Sequence, residues 1–267
     1  LLAAAMLLAS SLSAQDKAPY IDPSDDAAHF GKVEEILFWT PDQQVAGYRN
    51  MDQLTPVRWV RAGDAVLELP ERPTDLDALP VLHEGGNMNL AEYLEQQSVA
   101  GLLVIKDGAI VYERYRLGND RDSRWISYSV TKSVVSMLVG AAIRDGYIAS
   151  VDEKVTDYLP RLKGSAYEQA SIRDILQMAS GVSWDETYDD PESDLNQTSW
   201  NTLSLYDYLD DKPRNGAPGE IFNYNTAETT LVGNVLRAAI GNNLATYLEE
   251  KIWRPFGMEA DAAWNLT

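Results

Sequence analysis

The sequence predicts a mixed α/β fold in which antiparallel strands come first and a mainly helical region follows. Two apolar, β-branched runs, Gly101 to Lys106 and Ala109 to Arg116, predict adjacent strands. Asp107-Gly108 lies between them and is typical of a tight hairpin turn. Beyond them, Ser129 to Arg144 is apolar around almost its whole circumference when drawn as a helix, which predicts a buried helix.

Length and composition fit a protein that buries a substantial core. The chain has 267 residues, of which 45% are hydrophobic and 24% charged. Its net charge of −19 disfavours binding to nucleic acids and to anionic membrane surfaces. The chain has no cysteine, which excludes thiol nucleophiles, disulfides and thiolate metal sites.

The first residues predict export. Leu1 to Leu8 is apolar, and small residues follow up to Ala14, a pattern typical of a secretory signal peptide. We therefore expect residues 1–14 to be a signal-peptide remnant of a protein exported to a bacterial periplasm or secreted; the alternative is a buried N-terminal helix. The polar, Asp-rich residues 15–35 predict a mobile leader before a domain at 36–267.

The remaining elements follow from local patterns. Residues 36–90 are rich in Pro, Gly and isolated aromatics, which predicts extended segments, and Ala91 to Gln97 predicts a short helix. Because a hairpin alone is not a stable sheet, we expect further strands from residues 36–90 or after Thr267. We accordingly expect a fragment truncated at both ends. The expected helices and loop are helices at 152–160, 171–178, 202–209, 226–240 and 244–252 and a polar loop at 183–200.

Most familiar hydrolytic arrangements are disfavoured. The two histidines, His29 and His83, precede every plausible nucleophile in the chain. A Ser-His-Asp triad is therefore disfavoured. Neither a G-x-S-x-G elbow nor the H-E-x-x-H zinc spacing is present. The acidic stretch 189–194 lacks the Gly and terminal Glu of a calcium-binding EF-hand loop, which favours a solvated loop.

Lysine can activate a serine instead, and Ser129 and Lys132 have the spacing for it. Residues three apart share one face of a helix. Ser129 would lie at the helix N-terminus, where backbone N–H groups and the dipole favour an oxyanion. Burial of Lys132 would lower its pKa. The S-x-x-K tetrad from Ser129 to Lys132 is weak evidence alone, because about one such tetrad is expected by chance in a chain of this length. The alternative is a helix-capping Ser followed by a surface Lys.

The run Ser129-Val130-Thr131-Lys132-Ser133 resembles the signature of the β-lactamase-related serine hydrolases. That family includes class C β-lactamases, D-alanyl-D-alanine peptidases, family VIII carboxylesterases and nylon-oligomer (aminohexanoate-dimer) hydrolases. The resemblance covers about residues 95–264. Further stretches match family motifs in the same order: Asp152 to Pro160, Ser171 to Leu176, Ala179 to Gly181, Pro218 to Tyr224, Leu231 to Gly233 and Pro255 to Met258.

The resemblance implies a β-lactamase/transpeptidase-like α/β (α+β) fold, an antiparallel sheet domain with an inserted helical domain at about 145–225. The family's C-terminal strands and third motif would follow Thr267. Tyr224 matches the family's second catalytic residue. The match departs after it, so either Asn225 or Thr226 would contact substrate. This departure, together with Trp184, Asp185 and Tyr188 in the loop, resembles the nylon-oligomer hydrolase and esterase branches. Tyr188 resembles the substrate-side tyrosine of that branch, which implies that it either hydrogen-bonds a substrate amide or only packs.

The function implied is hydrolysis of an ester or amide through an acyl-enzyme, with Ser129, Lys132 and Tyr224 as catalytic residues. No metal or cofactor is implied, and the expected partner is a small-molecule ester, amide or β-lactam substrate. One alternative is a β-lactamase or D-Ala-D-Ala carboxypeptidase. Another is a catalytically inactive ligand-binding homologue, and a metal-dependent hydrolase is a third.

Overall fold

The structure is a computed structural model that describes residues 18–83 and 86–266. The predicted signal-peptide remnant, residues 1–14, lies outside the described residues. The chain divides into two compact units. The first takes its described residues from Leu1–Leu54 and Glu68–Trp125, and the second from Thr55–Leu67 and Ile126–Thr267.

Strands and helices alternate irregularly along the described chain. The strands are β1 (Val57–Val60), β2 (Pro80–His83), β3 (Gly86–Asn89), β4 (Gly101–Lys106), β5 (Ala109–Tyr115) and β6 (Ala262–Asn265). The helices are α1 (Pro41–Tyr48), α2 (Met51–Leu54), α3 (Leu90–Gln96), α4 (Val130–Arg144), α5 (Val155–Tyr158), α6 (Ile172–Leu176), α7 (Asp194–Gln197), α8 (Thr202–Asp210), α9 (Thr226–Ile240) and α10 (Leu244–Leu248). Short 3₁₀ helices lie at Pro23–His29, Val33–Phe38 and Pro160–Leu162, and a π-helical turn, Glu249–Trp253, follows α10.

In the first unit, the predicted hairpin is confirmed. β4 and β5 pair antiparallel, and the turn residues Asp107 and Gly108 have φ of 51° and 72°. These left-handed angles are those that an Asp-Gly turn supplies at low cost. The predicted helix after residue 90 is also present as α3, which packs Leu94 near Tyr112 of β5. β2 and β3 pair beside it, so residues 36–90 do contribute strands.

The mobile leader predicted for residues 15–35 differs from the structure where residues are described. The 3₁₀ helix Pro23–His29 packs on α1, and the side chains of Arg49 and Asp26 are only 4% and 8% exposed. The Arg49 guanidinium donates to the Asp26 carboxylate at 2.7 Å and to the carbonyls of Ile21 and Leu117 at 2.9 and 2.8 Å. A buried charge requires such partners, so this pair ties residues 21–26 to the unit.

The prediction of extended chain at 36–90 is wrong for its first part, where α1 and α2 form. Thr40 and Gln43 form a capping box around the start of α1, and Pro41 occupies the first turn. These residues satisfy or remove N–H groups that a helix start leaves without partners.

In the second unit, α4 and α9 pack together at the centre of one hydrophobic core. β1 and β6 pair antiparallel at its edge, and Val60 of β1 joins the core. The buried residues of α4 form a stripe at helical spacing: Val135, Leu138, Val139 and Ala142. The prediction that α4 is buried on all sides is wrong, because Val130 and Met137 on its other face are 68% and 49% exposed. An apolar composition shows that a helix face can be buried, but it does not show whether another element packs on that face.

The remaining helices of this unit follow the sequence patterns closely. Ser171 caps α6, and Asp174 closes the predicted capping box. α8 and α9 match their expected ranges, whereas the polar loop at 183–200 contains α7, which was not predicted. The helical subdomain predicted at about 145–225 contains α5 to α8, and its separateness stays a prediction. Across residues 18–83 and 86–266, no helix is both long and apolar enough to cross a membrane.

Replacing Asp26 should destabilise the first unit strongly. Asp26→Ala leaves the Arg49 guanidinium buried without its carboxylate partner, and such a loss costs about 3–5 kcal/mol of unfolding free energy. Urea unfolding of the variant measures this cost. Asp25→Ala is the matched control, because Asp25 is an exposed carboxylate in the same turn. Equal effects of the two substitutions would contradict a stabilising role for the buried pair.

Candidate active site

Ser129 occupies the N-cap of α4 and is exposed. The residue before it, Tyr128, has a φ of 42°, in the left-handed region that is uncommon for residues other than glycine. The next three backbone N–H groups donate to the carbonyls of residues 127–129, at 3.0 Å each. Those groups are therefore occupied, contrary to the expectation of several free donors at this terminus. The N–H of Ser129 itself has no acceptor among the described residues, and is free to bind an oxyanion.

Lys132 lies one turn into α4 and is half-buried. Its Nζ donates to Ser129 Oγ at 3.1 Å. The same Nζ lies 5.3 Å from the centroid of the Tyr224 ring. The structure therefore brings together the three side chains that the sequence analysis placed in catalysis. An amine in hydrogen-bond contact with a serine hydroxyl is positioned to take its proton once the amine is neutral.

Tyr224 is positioned by the turn that follows α6. Met178, in that turn, has a φ of 52°, and its carbonyl accepts from the Asn223 N–H at 2.8 Å. The Ala179 carbonyl accepts from Gly219 at 2.7 Å. The Asn223 side-chain amide donates to the carbonyl of Trp184 at 2.9 Å. These bonds hold the residues before Tyr224 against two separate loops, which sets the position of its ring.

Gly181 permits a close approach that this arrangement needs. Its φ is 78°, and an added Cβ would lie 2.1 Å from the Gly216 carbonyl oxygen. The Asn215 N–H donates to the Gly181 carbonyl at 2.7 Å, so the two backbones are in direct contact. Any other residue would be strained in φ and would displace the segment leading to Tyr224.

Tyr188 lies on the loop after α6 and is 50% exposed. Burial raises the pKa of Tyr188, and the charge of Glu186 and the nearby Tyr224 raise it further. Tyr188 is thus near Tyr224, and its phenol remains protonated as a hydrogen-bond donor well above neutral pH. The structure is compatible with a substrate-side role, and that role stays a prediction.

Thr226 is half-buried at the first position of α9. Its N–H donates to Glu186 Oε2 at 2.9 Å, and its hydroxyl donates to Glu186 Oε1. Glu186 also accepts from the indole N–H of Trp184 at 2.5 Å. The sequence analysis missed Glu186, because its partner in α9 is 40 residues away and no local pattern marks the pair.

The substrate contact predicted for Asn225 stays a prediction, and the structure shows its side chain engaged at the start of α9. Asn225 is 1% exposed, and its side-chain oxygen caps α9 by accepting the Glu228 N–H at 3.2 Å. Its amide nitrogen lies 3.5 Å from both the Tyr167 hydroxyl and Glu228 Oε1. A side chain engaged in this way acts on the helix start, which leaves Thr226 as the more accessible of the two.

Beneath the site lies a buried carboxyl group, Glu228, which is 1% exposed. It accepts from the Ser180 hydroxyl through Oε1, whereas Oε2 has no hydrogen-bond partner. Burial raises the pKa of Glu228 to about 8, although hydrogen bonds from Ser180 and Tyr167 act in the opposite direction. The third position of a helix favours a negative charge, so desolvation outweighs the helix dipole here.

Comparison with known proteins identifies the class. A family model described as Beta-lactamase matches residues 87–265, which is more than half of the chain. The chain therefore belongs to the beta-lactamase family and has the β-lactamase/transpeptidase-like fold. The resemblance stated from the Ser129 tetrad and the later motifs is confirmed.

One relative found by sequence and two solved structures resemble this chain. A "6-aminohexanoate-dimer hydrolase" of Paenarthrobacter ureafaciens is 29% identical over 258 residues, covering 91% of this chain and 59% of the relative. A solved structure named "Putative 6-aminohexanoate-dimer hydrolase from Bacillus anthracis" superposes with a TM-score of 0.71 at 22% identity, covering 84% of this chain and 62% of that one. A second, named "putative beta-lactamase from Bacteroides dorei DSM 17855", has a TM-score of 0.53 at 21% identity, with 64% and 50% covered.

The chain thus spans about three fifths of the length of the two aminohexanoate-dimer hydrolases that it matches. Because the sequence identities to the solved structures are low, the structural similarity shows the fold alone.

Replacing Glu228 with a neutral isostere should remove a pH dependence of stability. The wild-type carboxyl is neutral in the folded state up to a pKa of about 8 and ionises near 4.5 when unfolded. Folding therefore binds a proton between these values, so the unfolding free energy falls as pH rises, by up to about 1.4 kcal/mol per pH unit. Glu228→Gln, which cannot ionise, should lose this slope and exceed the wild type in stability at pH 8.

Chemical unfolding at pH 5 and pH 8 measures both effects. Glu168→Gln is the matched control, because Glu168 is exposed in the same unit and its replacement should leave the slope unchanged. If the slope persists in Glu228→Gln, the buried carboxyl is not its source.

Proposed function

We propose that the whole protein is a serine hydrolase that cleaves an ester or amide bond through an acyl-enzyme on Ser129. The observation that carries this proposal is the 3.1 Å hydrogen bond between Lys132 Nζ and Ser129 Oγ, with the Tyr224 ring 5.3 Å from the same Nζ. Membership of the beta-lactamase family supports the same chemistry.

The reaction follows from that geometry in two halves. Ser129 Oγ attacks the substrate carbonyl carbon while its proton passes to the neutral Lys132 amine, and the carbonyl oxygen becomes an oxyanion. The N–H of Ser129 faces no competing acceptor in the described chain and stabilises this charge. The tetrahedral intermediate collapses, and the leaving alcohol or amine takes a proton through Tyr224. Water then attacks the acyl-enzyme, Ser129 Oγ leaves with a proton, and a carboxylic acid is released.

Tyr224 is suited to pass protons because its ring lies beside Lys132, which becomes a cation when it takes the Ser129 proton. Its ring faces Lys132, and a positive charge held against an aromatic ring is stabilised. The hydrogen bonds of Asn223 hold the backbone directly before Tyr224. Tyr188 and Thr226 are the proposed substrate-side residues, since both lie on elements adjoining Tyr224.

For the substrate we propose a linear amide or ester in preference to a β-lactam. Two relatives, which match 91% and 84% of this chain, carry the name 6-aminohexanoate-dimer hydrolase, and this supports a linear amide. Hydrolysis by a β-lactamase or D-Ala-D-Ala carboxypeptidase is the second candidate, favoured by the family name and by one of the solved structures.

Removing the nucleophile should abolish covalent labelling. A fluorophosphonate probe reacts with an activated serine, so the full-length wild type should be labelled and Ser129→Ala should not. Ser133→Ala, an exposed serine one turn later on α4, is the matched control and should label like the wild type. Lys132→Ala should lower the labelling rate by about 10²–10⁴-fold, the usual contribution of a positioned base.

Labelling of Ser129→Ala would show that another residue is the nucleophile. Failure of the folded wild type to label would support the catalytically inactive ligand-binding homologue.

The substrate proposal predicts a clear order of rates. The full-length protein should hydrolyse the linear dimer of 6-aminohexanoate, or a p-nitrophenyl ester, with a kcat/KM at least about tenfold above that for the β-lactam nitrocefin. Amine or nitrophenol release and nitrocefin absorbance measure the two. The reverse order would favour the β-lactamase alternative.

A further inference from the structure

We propose that Glu186 is a positioning residue that fixes Tyr188 beside Tyr224 by joining the loop after α6 to the first turn of α9. The inference rests on the proposed function, since Tyr188 is the substrate-side residue that it places. Nothing in the motif pattern marks Glu186, and the assignment comes from its contacts alone.

The two oxygens of Glu186 are both engaged by Thr226. Oε2 accepts the Thr226 N–H at 2.9 Å, and Oε1 accepts its hydroxyl. The N–H groups of a first helical turn lack intrahelical acceptors, and a carboxylate there is also favoured by the helix dipole. Because α9 is 15 residues long, this end is a strong and well-defined anchor for a negative group. The pair thus forms a clasp between the loop and α9.

The clasp has a rigid base on the loop side. The Trp184 indole N–H donates to Glu186 Oε2 at 2.5 Å, and Trp184 is 6% exposed. Its ring packs edge-on against Trp200 and Tyr208, with centroid separations of 6.5 and 6.4 Å. A carboxylate held by a buried indole and by a helix terminus has little freedom to move. It therefore restrains the position of the loop residues next to Glu186.

Tyr188 follows Glu186 by two residues, and its backbone has an independent support. The Asn196 amide nitrogen donates to the carbonyls of Tyr188 and Asp190, at 3.1 and 2.8 Å. That support holds the loop to itself, whereas Glu186 joins the loop to the helix that follows Tyr224. The Glu186 clasp therefore adds to the hydrogen bond from Asn223 to the Trp184 carbonyl in setting the placement of Tyr188 relative to Tyr224.

The charge of Glu186 has a second effect at the same place. It adds to the influence of burial in raising the pKa of Tyr188, so the phenol keeps its proton. A protonated phenol can donate a hydrogen bond to a substrate carbonyl, whereas a phenolate cannot. The carboxylate that joins the loop to α9 thus also adds to burial in raising the pKa of Tyr188.

Glu186→Gln in the full-length protein tests the inference. The amide keeps the shape but has one acceptor oxygen and no charge, so it cannot serve all the donors that face Glu186. The KM for a p-nitrophenyl ester or linear amide should rise about tenfold while kcat changes less than about threefold, the signature of lost substrate placement. Glu186→Asp shortens the side chain and withdraws the carboxylate from α9, so it should raise KM by a smaller factor.

A readout independent of turnover follows the phenol itself. In protein carrying ¹³C-labelled tyrosine, with the Tyr188 resonance assigned through Tyr188→Phe, an NMR titration should show a lower pKa of Tyr188 in Glu186→Gln. Glu192→Gln is the matched control: Glu192 is exposed on the same loop, and its replacement changes the net charge equally. That control should match the wild type in both KM and titration.

The outcomes separate the two proposals. Unlabelled, inactive wild type would defeat the proposed function, while a lowered pKa of Tyr188 in Glu186→Gln would still support the clasp. Loss of thermal stability in Glu186→Gln with wild-type KM and an unmoved Tyr188 titration would reduce Glu186 to a purely structural residue and overturn the inference. If Glu186→Gln does not fold, Glu186→Asp carries the same test, and a wild-type KM in that variant would overturn the inference.

Discussion

The start of α9 is the constraint on which the candidate site depends. Its first-turn N–H groups need acceptors, and side chains from two directions supply them: Glu186 takes the Thr226 N–H, and Asn225 takes that of Glu228. Tyr224 immediately precedes this turn, so the bonds that satisfy the helix also position a reactive side chain. α4 packs against α9 and presents Ser129 and Lys132 beside Tyr224. Two packed helices thus hold the reacting groups.

Local patterns account for much of what was predicted correctly. The spacing of Ser129 and Lys132 follows from helix geometry, and the structure joins them at 3.1 Å. The Asp107-Gly108 turn and the Ser171 capping box are short-range features that a sequence shows directly. The proximity of Tyr224 to Lys132 has no such local source, and only the family resemblance pointed to it. Thr40, Pro41 and Gln43 form a local helix-start pattern as well. This pattern favours a helix over the extended chain predicted for that segment.

What sequence reasoning missed are contacts between distant residues and the coverage of surfaces. The buried pair of Asp26 and Arg49 joins positions 23 residues apart, so no local pattern distinguishes this polar stretch from a mobile leader. Glu186 and Thr226 are 40 residues apart, and neither is unusual in its own segment. α4 shows the opposite kind of error. Its apolar pattern predicts burial on all sides, but one face is exposed. In each case the deciding fact is which element lies opposite a side chain.

The buried carboxyl of Glu228 has a calorimetric consequence. Its pKa of about 8 means that the folded chain holds a proton which the unfolded chain gives up at neutral pH. Unfolding therefore transfers that proton to the buffer, and the heat absorbed on melting includes the buffer's own heat of protonation. Phosphate and Tris differ greatly in that heat, so apparent melting enthalpies in the two buffers should differ by a fixed amount per released proton. The offset would count the protons that the interior retains.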